Sequence, residues 1–567
     1  MTGAAMIELY VGTAIQHASE REVLGALIEH LSIAGGWAAI FANIHVGGRQ
    51  LDFLVATDSL TLVVEAKQFS RRIRGKVNGL WQMHVSGSVW KDVGNPYLQA
   101  LDATHALKDH LRVYHGESIG YPATCVVVVP KLPYGSDVPP SDFKVSIIGT
   151  DGLAAVAAKS SGLLLSREEW ANFAQNLRLQ RVQTMSAACD SKLLEQEALV
   201  TAYRAEFLRA YMPDIGSLKP DLYRVGDDEF DASRVADCVA QEGEDLLILG
   251  PSGCGKTLLA KKIAIQSLEQ SHVPIFLQAK YFAGKLGESI EREAVMLGAP
   301  SAASLIRAAR ATGSPLLLVL DGYNECPAAE QLTLTRSLAA AVRRFGARLV
   351  ISAQADLARR DLIDVRHVAV REPSKALKAA IAGASVGNRF DYLLESVSSG
   401  LEADLVGRVG TKLADGSSRF ALFDAYARQR LGDDEFDGIR FLAAVAGQLV
   451  DRMSFSLSIR EFDRLAAAEH IPGDVLGRIV AAGLVVRRSE KVSFRHELIF
   501  AAFAAESVVR RANQDVEEVL RALGAPKYRN ARSLILGAYD GDGFVLKVLA
   551  GTTDVELLRA AFDGECG

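Results

Sequence analysis

The sequence predicts a multidomain α/β protein, and three observations predict it. Its 567 residues are 49% hydrophobic and 23% charged, enough for several separate cores. Near the N-terminus, "LDFLVATDSLTLVVEAK" (51–67) has the alternation of a strand hairpin set among helical stretches. Further on, "EDLLILGPSGCGKTLLAKKIAI" (244–265) runs strand, glycine-rich loop, helix, and opens a series of buried strands alternating with helices.

Composition narrows the functional classes. A net charge of −5 means that any nucleic-acid contact must come from local patches. Cys125, Cys189, Cys238, Cys254, Cys326 and Cys566 are scattered without metal-ligand spacing, which fits a reducing cytoplasm and implies no zinc site. No basic region followed by an apolar stretch and a cleavage site opens the chain. No apolar run approaches the roughly 20 residues that span a bilayer. The expectation is a cytoplasmic protein with no membrane partner.

The first helix is expected in "SEREVLGALIEHL" (19–31), with Ser19 and Glu22 at capping-box spacing and Leu24, Leu27, Ile28 and Leu31 on one stripe. That gives Glu22 a structural task and leaves Glu20 free. In the hairpin, side chains two apart share a face, so Glu65 and Lys67 project together behind Thr61 and Val63. A turn centred between Asp58 and Ser59 puts Asp52 directly opposite Glu65. Opposed residues have Cβ atoms about 4.5–5.5 Å apart, so two carboxylates there need a cation between them. Mg²⁺ or Mn²⁺ would serve, with the Lys67 ammonium steering a water or a phosphate oxygen. A surface hairpin with a solvated Glu–Lys pair is the plain alternative. The basic run Arg71, Arg72, Arg74 and Lys76 likewise reads as a solvated strand end or as a track for a phosphate backbone. A helix at "NPYLQALDATHALKDHL", a buried strand at "CVVVVP" and a capped helix at "SREEWANFAQNL" complete a helix-flanked mixed sheet.

"GGRQLDFLVATDSLTLVVEAKQFSRRIRGKVNGLWQ" followed by "NPYLQ" resembles the nuclease-related domain (NERD) family, a branch of the PD-(D/E)xK restriction-endonuclease-like nucleases. The resemblance spans about residues 15–185 and implies a nuclease domain over 1–185 with DNA as substrate. It makes Glu20, Asp52 and Glu65 the acidic set, Asp52 and Glu65 the metal ligands, Lys67 the catalytic lysine, Gln99 a supporting polar residue and Trp81 a core residue.

Residues 186–235 read as a helical connector. Over 236–373 a P-loop ATPase domain is expected. Gly250, Gly255, Lys256 and Thr257 satisfy G-x-x-x-x-G-K-[ST] between strand and helix, with Ser252 and Gly253 inside the loop. Its backbone N–H groups wrap phosphates, Lys256 reaches the β and γ oxygens, and Thr257 ligates Mg²⁺. "SPLLLVLDGYNEC" ends a buried strand in Asp321, a second ligand to the Mg²⁺ shell, with Glu325 placed to polarise water. "ARLVISAQAD" is a third such strand, ending at a sensor position occupied by Gln354.

Beyond 373 the pattern turns helical: a helical domain over 374–435, then the helix, helix, short-strand order of a winged helix over 436–515. "DGYNE", with "FRHELIFAAFAAES" far downstream, resembles the NACHT group of STAND ATPases, regulated switches that include many immune receptors. The resemblance implies that His496 contacts the β-phosphate of ADP and holds a closed state; a satisfied core histidine is the plain alternative. Arg is frequent in that group at the sensor position where Gln354 stands, and the usual helical-domain proline is missing. Residues 516–567 hold two similar helical pieces that could open a repeat array, so either the chain continues or sensing is done elsewhere.

The expected function is a nucleotide-switched nuclease. ADP holds it closed, an unidentified trigger such as a phage protein or nucleic acid opens it, and ATP drives homo-oligomerisation and Mg²⁺-dependent DNA cleavage in prokaryotic antiviral defence. An ATP-driven DNA-processing nuclease and a non-catalytic scaffold are the alternatives.

Overall fold

Apolar and β-branched residues alternate along Arg49–Thr57 and Thr61–Gln68, and these strands pair antiparallel through Phe53–Val64, Leu54–Val63, Val55–Leu62 and Ala56–Thr61. This is the register predicted from a turn centred between Asp58 and Ser59. The hairpin lies inside a seven-stranded mixed sheet. Its order is Gln180–Val182, Met6–Val11, Trp37–Val46, Arg49–Thr57, Thr61–Gln68, Ala123–Val129 and Ser146–Gly149. Phe53, Val55, Leu62 and Val64 face the helix Ala18–Ala34, while Leu54 and Val63 face Pro96–His115 and Arg167–Asn176. A smaller sheet of Ile73–Arg74, Trp81–Ser86 and Val89–Val93 flanks this body, with Trp81 fully buried in the core as expected.

The computed structural model describes residues 6–562 apart from 87–88, 130, 216–222, 226–227, 241–243, 358–364, 384–393, 396, 415–416, 489 and 540–541, so Cys566 lies outside the described residues. Within the described residues, no helix is long and apolar enough to cross a membrane.

The second body is built on Leu246–Leu249, Val273–Gln278, Leu316–Asp321, Arg348–Ala353 and Arg366–Ala369, five parallel strands of which the first four are mainly apolar and buried, as expected where helices cover a sheet. Arg348–Ala353 lies between the P-loop strand and the strand ending in Asp321. Two strands assigned to the connector, Tyr223–Val225 and Asp228–Phe230, extend this sheet. The long helix Ser191–Ile215 buries Tyr203, Phe207 and Tyr211 in the same core, where an amphipathic connector has apolar residues to hide.

Downstream, helices Gly400–Val409, Arg419–Leu431 and Glu435–Asp451 share one core with a three-stranded antiparallel sheet (Leu457–Ser458, Lys491–Phe494, Val485–Arg488) and the helix Glu497–Ala512. Leu523, Tyr528, Ile535 and Val548 join that core, so the last helices close a globule and do not stand apart from it.

Two corrections arise here. The first helix begins at Ala18 with His17 as its cap, so Ser19 already lies within the first turn and makes no capping box with Glu22. The chain enters the helix before the residue whose spacing suggested the start. In addition, Arg71 is not a phosphate-tracking surface residue: it is buried, donating to the Asp245 carboxylate at 3.4 Å and the Ala347 carbonyl at 2.5 Å. Contacts with a distant part of the chain claimed it.

Two candidate functional sites

The first site forms where the hairpin's apolar pattern ends. Behind Thr61 and Val63, both fully buried, Glu65 sits nearly buried and Lys67 reaches the rim, its Nζ 2.6 Å from Glu65 Oε1. Asp52 Oδ2 accepts the Ala66 N–H at 2.9 Å, which fixes one carboxylate oxygen against the neighbouring strand. Glu20, in the first turn of Ala18–Ala34, is buried and accepts from Asn43 Nδ2 at 2.8 Å. These groups open on one cavity of about 570 Å³, whose wall also includes Gln50 and the exposed Gln99.

Burial raises all three acids. For Glu65 the charge of Asp52 adds to burial, against the opposing pull of Lys67, and pushes it up to about 7. Asp52 is raised by burial although Lys67 and the Ala66 N–H pull it down, and Glu20 is raised by burial and by Asp52 against its bond from Asn43. Two partly desolvated carboxylates on paired strands are donors suited to Mg²⁺ or Mn²⁺, cations that retain several waters. Among the described residues no cluster of three or more His, Cys, Asp and Glu side chains is arranged to hold a metal.

Sequence reasoning missed Asn43. It stands at a left-handed φ of +48°, a conformation Asn tolerates, and its amide links Glu20 to Gln50, whose Nε2 lies 3.3 Å from Asn43 Oδ1. An Asn inside a strand is a signal of irregular backbone.

The second site lies at the carboxyl ends of the parallel strands. Gly253 and Gly255 adopt φ of +77° and +104°, and the helix Lys256–Glu269 starts at once. A Cβ at Gly253 would come within 2.7 Å of Ser399 and 3.0 Å of Leu498, so only glycine fits where downstream domains close on the loop. Lys256 Nζ donates to the carbonyls of Gly250 (2.9 Å) and Pro251 (2.6 Å). Thr257 Oγ1 lies 2.9 Å from both oxygens of Asp321, which also accepts from Ser352 Oγ at 2.6 Å. A hydroxyl and a carboxylate joined at a helix N-terminus beside a phosphate-sized loop fit Mg²⁺ and a nucleotide. Glu325 is pushed up to about 7 by burial and by the charges of Asp321 and Glu497, against Lys280.

His496 caps the helix Glu497–Ala512, its Nδ1 accepting the Leu498 N–H at 3.1 Å. Burial and the ammonium groups of Lys256 and Lys280 pull it down to about 4, so it is neutral at pH 7 with its proton on Nε2. Gln354 reaches the same corner, its amide donating to Glu497 and its backbone N–H to Asn324.

The two sites meet through the sheet. Gln68 Nε2 donates to the Gly313 carbonyl at 2.7 Å, Arg71 to Asp245, and Arg348 to the Ser70 carbonyl. Asp245 also accepts the Leu349 N–H at 2.9 Å. The segment just past Lys67 is thus docked on the amino edge of the parallel sheet, opposite the nucleotide site.

Comparison with known proteins matches residues 15–130 to the nuclease-related domain family. No curated protein matches. Among solved structures, a STAND signal-transduction ATPase with a tetratricopeptide repeat sensor from Pyrococcus horikoshii is 15% identical over 58% of this chain and 49% of its own, with a TM-score of 0.30. The Aeropyrum pernix ORC1 protein, solved in complex with DNA, is 15% identical over 49% of this chain and 92% of its own, at 0.27. AMPPCP-bound DnaA from Aquifex aeolicus is 15% identical over 58% and 92%, at 0.25. At such TM-scores these likenesses carry no mechanistic weight. Residues 15–130 are thus similar to the nuclease-related (NERD) domain family, and the P-loop sheet lies downstream of them.

Proposed function

We propose that the chain is a metal-dependent nuclease whose cutting is governed by the nucleotide on its P-loop domain. The observation that carries this reading is the convergence of Asp52, Glu65 and Lys67 in one cleft, with the residues that follow Lys67 docked on the P-loop sheet. Bound between Asp52 and Glu65, Mg²⁺ or Mn²⁺ would supply the Lewis acidity that polarises a phosphodiester and activates water. The Asp52–Ala66 bond orients that carboxylate. Lys67 balances Glu65 and presents an ammonium to the phosphate oxygens, while Gln99 and Glu20 order water around them.

At the P-loop, Lys256 would exchange its carbonyl partners for phosphate oxygens, Thr257 and Asp321 would hold Mg²⁺, and Glu325 would take a proton from attacking water. Its elevated proton affinity suits a base poised near neutral pH. The neutral His496, with its proton on Nε2 and its helix beside Gly253, would donate to a phosphate of ADP and hold the winged-helix region closed. ATP replacing ADP would release this contact, and association of the ATPase domains would bring nuclease domains together on DNA, making activity steep in protomer concentration. Defence against phage is the setting implied by the resemblance to prokaryotic STAND effectors. Incubating the full chain with plasmid, Mg²⁺ and either ADP or ATP tests the reading. Cleavage with ATP and little with ADP is expected, and equal cleavage with both removes nucleotide control.

A further inference from the structure

We infer that the ATPase domain supplies part of the nuclease's substrate-binding wall, with Arg310 as a phosphate-binding residue for the nucleic acid cut at Asp52 and Glu65. This rests on the nuclease reading and adds a residue from another domain.

Arg310 lies in the last turn of the helix Ala302–Ala311, and it and Ala311 line the same cavity as Glu20, Asp52, Glu65 and Lys67. Its place is fixed from two sides. One guanidinium nitrogen donates to the Arg344 carbonyl at 2.6 Å and the group lies 5.5 Å from the Phe345 ring centroid. Two residues beyond the helix end, the Gly313 carbonyl accepts from Gln68, the residue after Lys67. Arg310 is therefore indexed to the catalytic strand by a direct interdomain hydrogen bond.

Charge explains why a cation is needed there. The cleft floor offers Glu20, Asp52 and Glu65 against one ammonium, and Lys67 is already engaged by Glu65. The other arginine lining the cavity, Arg49, is paired with Asp102 at 3.2 Å. This floor is net negative without metal, and a divalent cation brings it only to about neutral, so it offers a polyanion no net attraction of its own. Arg310 has no carboxylate partner among the described residues, is exposed, and uses only part of its donor set on Arg344. Its planar fork matches phosphate oxygens. A strand whose scissile phosphate sits at the carboxylates would run neighbouring phosphates along the cavity wall that Arg310 helps to line.

The test uses the full chain carrying Asp52→Asn, so that DNA is bound and not cut, and measures affinity for a short labelled duplex across a salt series. Arg310→Ala should weaken binding about three- to tenfold at low salt and lower the slope of log K against log salt by about 0.9, the signature of one lost phosphate contact. Arg310→Lys should recover most of the affinity and the full slope, whereas Arg310→Glu should weaken binding further. In the cutting-competent chain, Arg310→Ala should raise KM by a similar factor and leave kcat within about twofold. An unchanged slope in Arg310→Ala, or a loss that Lys does not restore, overturns the assignment and returns Arg310 to a structural task at the helix end. If the parent neither binds nor cuts nucleic acid, the nuclease reading falls and this inference with it. A parent that cuts DNA normally with Arg310→Ala overturns only this inference.

Discussion

Glu65 shows how one residue can carry both a stability cost and a function. Burial and Asp52 raise its proton affinity from 4.5 to about 7, so the folded state binds the proton more tightly than the unfolded chain does. Stability from this group is present below about 4.5 and is lost as pH rises through about 7. Without divalent metal, the melting temperature should therefore fall over that window; Glu65→Gln should flatten the fall, and added Mg²⁺ should oppose it. Thermal scans across pH check all three outcomes. Asp52→Ala, Glu65→Ala and Lys67→Ala should each abolish plasmid cleavage while nucleotide binding, followed by a fluorescent analogue, survives; undiminished cutting by two of them would sink the nuclease assignment. Asp52, Glu65 and Lys67 were legible because a two-residue period puts charges on a face that should be apolar. Arg71 was misread for the converse reason: a run of arginines looks the same in sequence whether it meets solvent, phosphate or a buried Asp245 far along the chain. Arg310 and Asn43 left even less trace, since their neighbours are set by tertiary contacts.

The elements around the nucleotide site follow local rules closely. The P-loop's positive-φ glycines and immediate helix start are dictated by its motif, the strand ending in Asp321 by an unbroken apolar run, and the strand ending in Ala353 by a mainly apolar one. Helix starts were less readable. A Ser-x-x-Glu spacing gives a true capping box at Ser166, where both reciprocal bonds form, yet marks an interior turn at Ser19. The deciding factor is where the preceding chain turns, which spacing does not encode. Function at this level should separate by substitution. Lys256→Ala should lose nucleotide affinity, and Glu325→Gln should bind ATP but turn it over slowly, because only proton acceptance is removed. If the module is a switch, the Gln variant should cut DNA faster than wild type, as read by plasmid linearisation; a dead enzyme would indicate a motor. His496→Ala removes a hydrogen bond to charged phosphate, worth about 1.5–3 kcal/mol, enough to raise a 1% open population to roughly a tenth or more. It should leak nuclease activity without a trigger and release ADP faster; unchanged ADP retention would leave His496 with its helix-capping role alone.

At the scale of the whole molecule, the alternation of α/β bodies was legible, and their docking was not. The junction is polar and buried: Asp245 lies between Arg71 and Arg348, and burial pulls the Arg348 guanidinium down to about 9. Taking one partner from a buried ion pair costs about 3–5 kcal/mol because the other charge is left desolvated. Arg71→Ala should therefore loosen the nuclease domain from the sheet, seen as a calorimetric transition that splits or moves to lower temperature. Adding Asp245→Leu to Arg71→Met should not recover stability, because it leaves the buried Arg348 guanidinium without its carboxylate and the Leu349 N–H without its acceptor. A single unsplit transition at the wild-type temperature in Arg71→Ala would show the contact to be incidental.

The strand Arg348–Ala353 touches both chemistries: Arg348 holds the Ser70 carbonyl at one end and Ser352 holds Asp321 at the other. Two candidate sites linked through one short, buried strand are not independently exchangeable. A different effector placed ahead of this ATPase would have to reproduce the grip on Arg348 and Asp245, and a substitution selected for one reaction would be tried at once by the other. The inheritance of this protein is thereby constrained: its nuclease-related domain and its P-loop sheet are expected to vary together, as one part.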